Sequence, residues 1–466
     1  MNLNSQVVNL SGLPPLIIAL RASAELKNNH GLDRFFAPVG PLLEAKRLAA
    51  DLFGAKETWF LVGGTSCGIQ ASIMATCSPG DTIILPRNAH VSATAGVIFS
   101  GAVPKYIIPE SNCDWDIAAG ITPSQVKTAL EESELDGRKV AAVFITSPTY
   151  NGICSNLSEI SQLCHSCGIP LIVDEAHGAH FKFHSAMPNT ALEQGADIAI
   201  QSTHKVLSSL TQSSMIHISR DIIDEERLHK CLHTLQTTSP NWLLLTSLDA
   251  ARHQLSKNPT NIFNEAMELA AEAKTLINKT PGISVLDPSI FFPNFPIMDP
   301  LRITLEAWQL GLSGFETNSI LHKSHGIVPE LIGTRSITLA FSLGTTRDHV
   351  QGLVAGLKHL SDSLLPLQLK REKIFTQILP FGGNFHMDLT PREAFFASKM
   401  KLKIEDSVGK ICGEVICPFP PGTPVLVPGE IINDRALDYL IQVINQGGII
   451  SGAADPTLST IVVCKT

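Results

Sequence analysis

The sequence predicts an α/β fold built on a mainly parallel sheet, and three observations carry that expectation. Strand-like and helix-like runs alternate from about residue 42 to 220. The runs 169–173 and 197–201 are dominated by apolar residues, as strands covered on both faces are. At 466 residues and 44% hydrophobic, the chain also exceeds what one small core fills and should divide into two or three domains.

The elements follow in order. Residues 13–24 read as an amphipathic helix with Pro14-Pro15 near its start. No basic segment precedes this short apolar run and Arg21 follows it, so it does not read as a secretory signal. Residues 42–53 are helical, 58–62 extended, 65–77 helical, 82–85 extended, 91–99 helical and 103–108 a strand. Thr122-Pro123-Ser124-Gln125 is a helix start, with a capping hydroxyl and proline at the first helical position. Residues 140–145, 170–173 and 198–200 add buried strands.

Beyond Asp221 the pattern changes to long helices over 242–255 and 262–278, then strands such as 303–305 and 337–341 between further helices. The last part opens with a polar stretch at about Leu365, contains the Pro/Gly-rich run 417–429 and ends in an apolar-rich helix over 436–445. The expected division is an N-terminal helical segment 1–41, a large cofactor-binding domain 42–300, a small α/β domain 301–364 and a C-terminal α+β domain 365–466.

A formal net charge of −8 gives no broad electrostatic reason to bind nucleic acid or an anionic membrane, so small charged metabolites are the expected partners. No apolar span is long enough for a transmembrane helix. The ten cysteines read as reduced cytoplasmic thiols. Cys164-His165-Ser166-Cys167 has no second CxxC to complete a zinc pattern, and it reads, like Cys412 and Cys417, as ordinary structural cysteine.

Two segments carry chemistry. Asp174-Glu175-Ala176-His177-Gly178-Ala179-His180 begins where one apolar run ends, and Ser202-Thr203-His204-Lys205 follows the next. Open α/β sheets bind ligands at the carboxyl ends of parallel strands. A lysine there can form an imine with an aldehyde, while a carboxylate keeps a pyridine ring protonated. Together they read as a site for pyridoxal 5'-phosphate. Lys205 must be a free amine part of the time, and burial beside a cation would lower its pKa toward that condition. His177 is placed for the cofactor's ring oxygen or the substrate carboxylate, and His180 reads as structural.

Gly63-Gly64-Thr65-Ser66 follows a strand and opens a helix, so free backbone N–H groups and two hydroxyls converge where a phosphate fits. Ordinary strand-to-helix turns share that pattern, and no Gly-Lys-Ser/Thr makes it a P-loop. Ser202 and His204 are further phosphate contacts. His90, in Arg87-Asn88-Ala89-His90 just past a strand end, either stacks on an aromatic cofactor or caps the next helix.

Taken together, these residues resemble the Orn/Lys/Arg decarboxylase family, the bacterial basic amino acid decarboxylases of aspartate-aminotransferase type. The resemblance spans roughly 34–466 and rests on Pro41-Leu42-Leu43-Glu44-Ala45, Phe53-Gly54-Ala55, Gly64-Thr65-Ser66, Arg87 to His90, Asp174 to His180, Ser202 to Lys205, and Pro420-Pro421-Gly422 through Pro428-Gly429-Glu430. It implies a PLP-dependent transferase-like large domain, a smaller α/β domain and a C-terminal α+β decarboxylase domain. By it, Lys205 would hold the cofactor and Asp174 would pair with the ring nitrogen. His90 would stack on the ring, and Thr65, Ser66, Ser202 and His204 would hold the phosphate. Glu430 would meet the substrate's distal cation or shape its pocket, or else be a structural or solvated carboxylate.

The implied reaction is α-decarboxylation of arginine, lysine or ornithine to a polyamine or its precursor. The short form, without a receiver-like N-terminal domain, favours arginine. Relatives build the site at a subunit contact, which implies a homodimer or higher homo-oligomer. Two departures stand out. Gly63 replaces the usual Asn before Gly-Thr-Ser, and Phe35-Phe36-Ala37-Pro38 runs straight into Val39-Gly40-Pro41, where relatives carry a Pro-Gly-His-Lys type segment. The shortened N-terminus leaves open a catalytically silent cofactor-binding homologue; another aminotransferase or lyase of the same fold is the remaining alternative.

Overall fold

The computed structural model describes residues 34–367, 386–419 and 422–465. The expected helix over 13–24, the polar stretch after Leu367 and Pro420-Pro421 lie outside the described residues.

In chain order the first part runs α1 (Pro41–Phe53), β1 (Glu57–Leu61), α2 (Gly64–Thr76), β2 (Thr82–Pro86), α3 (Val91–Ser100) and β3 (Val103–Ile107). A two-residue hairpin, β4 (Ser111–Asn112) and β5 (Ile117–Ala118), leads to α4 (Pro123–Leu135), β6 (Val140–Thr146), α5 (Leu157–Ser166) and β7 (Leu171–Asp174). Then come β8 (Ile198–Gln201), the one-turn helix α6 (Thr203–Val206), β9 (Ser214–Ile218) and α7 (Glu225–Leu235). The start of α4 forms as expected, because Thr122 accepts from the Gln125 amide, and the Gln125 side chain accepts from the Thr122 amide in return.

Seven strands form one sheet in the order β1-β9-β8-β7-β6-β2-β3. From β8 to β3 all neighbours are parallel, and only β9 runs against its two neighbours. Side chains alternate across it. Ala142, Phe144, Ile172, Ile198 and Ile200 enter the core beneath α2 and α3, while Val143, Ile145, Val173 and Ala199 enter the opposite core with α4 and α5. Each fully buried Ile or Leu contributes roughly 1.5–3 kcal/mol. Helix α2 lies so close to the sheet that a β-carbon at Gly68 would sit 2.7 Å from Leu61 and 2.9 Å from Ile200.

Two long helices follow, α8 (Trp242–Lys257) and α9 (Asn264–Ile277), then β10 (Ser284–Val285) and the short α10 (Pro288–Phe291). Next are β11 (Arg302–Glu306), α11 (Gly314–His325), β12 (Leu331–Ile332), β13 (Ser336–Ala340) and α12 (Arg347–Leu364). The strands make an antiparallel sheet, β10-β11-β13-β12, which therefore includes residues before 301. It shares one apolar core with α1, α8 and α9 through Leu42, Leu245, Leu269, Leu305 and Leu357.

The remaining part comprises α13 (Pro391–Phe396), β14 (Lys399–Lys403), β15 (Cys417–Phe419), α14 (Asp434–Asn445), β16 (Ile449–Ser451) and β17 (Thr460–Cys464). Strands β14 with β17 and β15 with β16 pair antiparallel around a core of Ile416, Leu426, Leu440 and Ile461. Arginine side chains tie this unit to the large sheet. Arg87 donates to the carbonyls of Pro424 at 2.6 Å and Val425 at 2.8 Å, and Arg392 to that of Phe99 at 2.8 Å.

Among the described residues, no helix is long and apolar enough to cross a membrane. All ten cysteines are free thiols. Cys164 lies buried in α5 and Cys167 exposed just past its end, as ordinary residues of a helix terminus.

Candidate active site

The parallel register of β7 and β8 brings Asp174 and Lys205 to one rim of the sheet: Asp174 ends β7 opposite Ile200, and Lys205 lies in the turn of helix just after β8. Asp174 is buried, and its Oδ1 accepts the Ala176 amide at 3.1 Å. Burial pushes its carboxyl up to about 6, with Lys205 and the Ala176 amide opposing that rise.

Lys205 is exposed on one side, with its Nζ 3.2 Å from His177 Nε2. Partial desolvation lowers its ammonium pKa, against the pull of Asp174 and Glu330, and the nearby Arg302 lowers it further. His177 is buried, and its Nδ1 lies 3.0 Å from Arg302 Nη2. Arginine only donates, so Nδ1 must accept and the neutral ring carries its proton on Nε2. That N–H then points at Lys205, and the contact is a hydrogen bond only when Lys205 is a free amine. Burial first, then Lys205 and Arg302, hold the imidazole well below its usual range, in keeping with a neutral ring.

The expected phosphate contacts converge in part. Thr65 and Ser202 hydroxyls meet at 3.1 Å, although they are 137 residues apart. Gly64, at φ +72, adopts the left-handed conformation that favours glycine and turns β1 into α2. Ser66 also stands in the first turn of α2. His204 Nδ1 donates to the Ser213 carbonyl at 2.8 Å, so Nε2 of the neutral ring is left as an acceptor. His204 therefore offers a donor at Nε2 only once protonated.

His90 caps α3, its Nδ1 accepting from the Ser92 amide at 3.3 Å. Burial and the Lys205 charge hold it down to about 4, so it is a neutral ring at physiological pH. Capping occupies one edge of the ring. It does not engage the ring face, so the two roles expected for His90 are compatible.

Glu430, for which a substrate contact, a pocket-shaping role and a structural role were all open, is paired with Arg87. The two are buried and 2.8 Å apart, and Val427 N–H donates to the same oxygen at 3.1 Å. A carboxylate held this way joins the C-terminal unit to the rim of the large sheet, and a substrate cation would have to displace Arg87. His180 pairs with Asp299 at 3.0 Å in the interior, a structural arrangement.

Arg302 and Tyr150 were not legible beforehand. Arg302 opens β11 of the smaller sheet, and Tyr150 packs edge-on against His177 at 5.0 Å between centroids. No local motif marks either residue. The only signal for Arg302 was a cation at the start of a buried strand, which requires a partner wherever the fold places it.

The family pattern "Orn/Lys/Arg decarboxylase, major domain" matches residues 21–349, and "Orn/Lys/Arg decarboxylase, C-terminal domain" matches 374–448. The arginine decarboxylase of Bacillus subtilis (strain 168) is 34% identical over 446 residues, covering 95% of this chain and 89% of that protein. Lysine decarboxylase A from Pseudomonas aeruginosa superposes with a TM-score of 0.80 at 21% identity, over 97% of this chain and 81% of that one. An alanine–glyoxylate aminotransferase from Nostoc sp. matches at a TM-score of 0.54 and 16% identity, over 68% and 86%. The aminotransferase-type α/β architecture expected from the sequence is therefore the one observed.

Proposed function

This chain belongs to the Orn/Lys/Arg decarboxylase family, and on that premise we propose that it removes the α-carboxyl group of a basic amino acid with pyridoxal 5'-phosphate as cofactor. Arginine is the favoured substrate, since the Bacillus subtilis relative is named for it. One observation carries the reading: an amine whose hydrogen bond requires its free form stands beside a buried carboxylate at the carboxyl ends of adjacent parallel strands.

The residues present fit the cofactor. Lys205 offers a nucleophilic amine to its aldehyde, Asp174 a buried negative charge for a protonated ring nitrogen, and Thr65 with Ser202 paired hydroxyls beside the α2 N-terminus. Ser66 and His204 would complete the phosphate contacts, and the uncharged His90 would lie against the ring. When bound, the cofactor supplies an electron-accepting ring that stabilises the charge left at Cα as CO₂ departs. Burial and then Arg302 favour a neutral His177 with its proton on Nε2, and that N–H would direct the Lys205 amine in its free form. Lys205, freed when a substrate amine takes its place, would be within reach to serve as a base or acid at the rim of the site.

A second copy of the chain covering the exposed side of Lys205 belongs to the same proposal, as does a cytoplasmic location, where free thiols persist. The test is mass spectrometry of products from purified protein, loaded with pyridoxal phosphate and given arginine, lysine and ornithine in equal amounts, with Lys205→Ala as control. Agmatine, cadaverine or putrescine from the unaltered protein alone supports the reading. Absence of all three from protein shown to hold the cofactor on Lys205 overturns it.

A further inference from the structure

A cavity of about 200 Å³ opens where the three parts of the chain meet. Asn88 and Tyr150 line it from the large sheet, Ile332 and Thr334 from the small one, and Phe419 and Tyr439 from the C-terminal unit. Tyr150 is also the residue against His177, which touches Lys205, so the wall of the cavity is two side-chain contacts from the amine.

Its lining has an unusual charge balance. Asp116 is the one ionisable carboxylate, and no lysine, arginine or histidine lines the cavity among the described residues. The Thr334 hydroxyl donates to Asp116 Oδ2, and among the described residues no cation stands within 4 Å of the carboxylate. Arg335 acts on it only at longer range, its guanidinium lying 4.1 Å from the Trp308 ring. Burial pushes the Asp116 carboxyl up to about 6, with Thr334 and Arg335 opposing that rise, so it is mostly ionised at neutral pH, and among the described residues no cation touches it.

Two side-chain amides in the lining add acceptors to the carboxylate. Asn88 donates one amide N–H to the Ala119 carbonyl at 3.2 Å and Asn151 one to the Thr338 hydroxyl at 2.9 Å, and the amide oxygen of each stays available to accept. Ile108, Ile117 and Phe315 supply apolar wall beside them. An anion, several acceptors and an apolar wall suit a ligand with a short methylene stem and a cation rich in N–H donors.

We propose that this cavity receives the side chain of the basic amino acid, with Asp116 as the counter-ion of its distal cation. The proposal rests on the decarboxylase reading and names its specificity residue. Asp116, at φ +51, is also held in a left-handed conformation rare for a residue with a β-carbon, and this aims the side chain from the hairpin between β4 and β5.

The test compares holoenzyme with Asp116→Asn, which retains volume and an acceptor for Thr334, and Asp116→Glu, which retains charge. The Asn variant should raise the KM for arginine at least about 30-fold while kcat changes much less, and the Glu variant should recover part of the loss. It should also lose discrimination against citrulline, the neutral isostere of arginine. An unchanged KM in a variant with normal cofactor absorbance overturns the proposal. If the unaltered protein releases no amine from any substrate, the decarboxylase reading fails separately. Calorimetry with agmatine then judges the cavity: binding lost in Asp116→Asn supports a cation site there, and equal or absent binding in both proteins overturns it.

Discussion

Asp174→Asn should stabilise the cofactor-free protein while disabling it. The Asp174 carboxyl, buried and held at about 6 against an ordinary 3.8, binds its proton more tightly folded than unfolded. Its ionisation therefore costs the folded state nothing at low pH. The cost grows as pH rises through that window and is complete above about 6. Asparagine never ionises, and its Oδ1 can still accept the Ala176 amide. From the two pKa values the linkage integral puts the variant ahead by roughly 3 kcal/mol at pH 7.5 and by about half that at pH 5. Urea unfolding of both cofactor-free proteins at the two pH values measures the gap directly. A gap that does not shrink toward acid, or an Asn variant no more stable at pH 7.5, would refute the claim that burial outweighs the favourable contacts of this carboxylate. Pyridoxal phosphate should reverse the order, because only the carboxylate gains from a protonated ring nitrogen; turnover should fall by at least about 100-fold in the variant.

Three further outcomes follow from side-chain contacts in the structure. Arg302→Met removes the cation that opposes protonation of Lys205, so capture of pyridoxal phosphate by the cofactor-free protein should slow by roughly tenfold near neutrality, with its pH profile displaced upward; an unmoved profile, followed by absorbance, would contradict the role given to Arg302. Glu430→Gln removes the buried carboxylate that pairs with Arg87, which should cost about 3 kcal/mol and speed hydrogen exchange in residues 411–419 and 422–432, with the relative rates on arginine, lysine and ornithine preserved. A changed preference at unchanged stability would restore Glu430 as a substrate contact. Gly68→Ala should destabilise by about 1–3 kcal/mol, read from denaturation midpoints, because its new methyl group meets Leu61 and Ile200 in a closed core.

Much of the large sheet was legible from periodicity. Strands covered on both faces leave apolar runs, and the helix at Pro123 announces itself through Thr122 and Gln125, residues close enough in sequence for local geometry to specify the cap. The places of Asp174 and Lys205 were legible for the same reason. Asp174 ends one buried strand and Lys205 follows the end of the next, and parallel strands deliver their ends to one rim.

What escaped were meetings between distant segments. His177 and Arg302 are 125 residues apart, and Arg87 and Glu430 are 343 apart. No period or motif in either segment encodes such a pairing; it depends on how the smaller sheet and the C-terminal unit pack onto the large one. The sequence therefore announced a lysine and a carboxylate suited to one cofactor, because strand ends and turns are written in neighbouring residues. Which arginine meets His177 beside the lysine, which one pairs with Glu430, and that Asp116 has no cation in direct contact among the described residues were settled by packing, since a buried charge takes whichever partner the assembled core brings within reach.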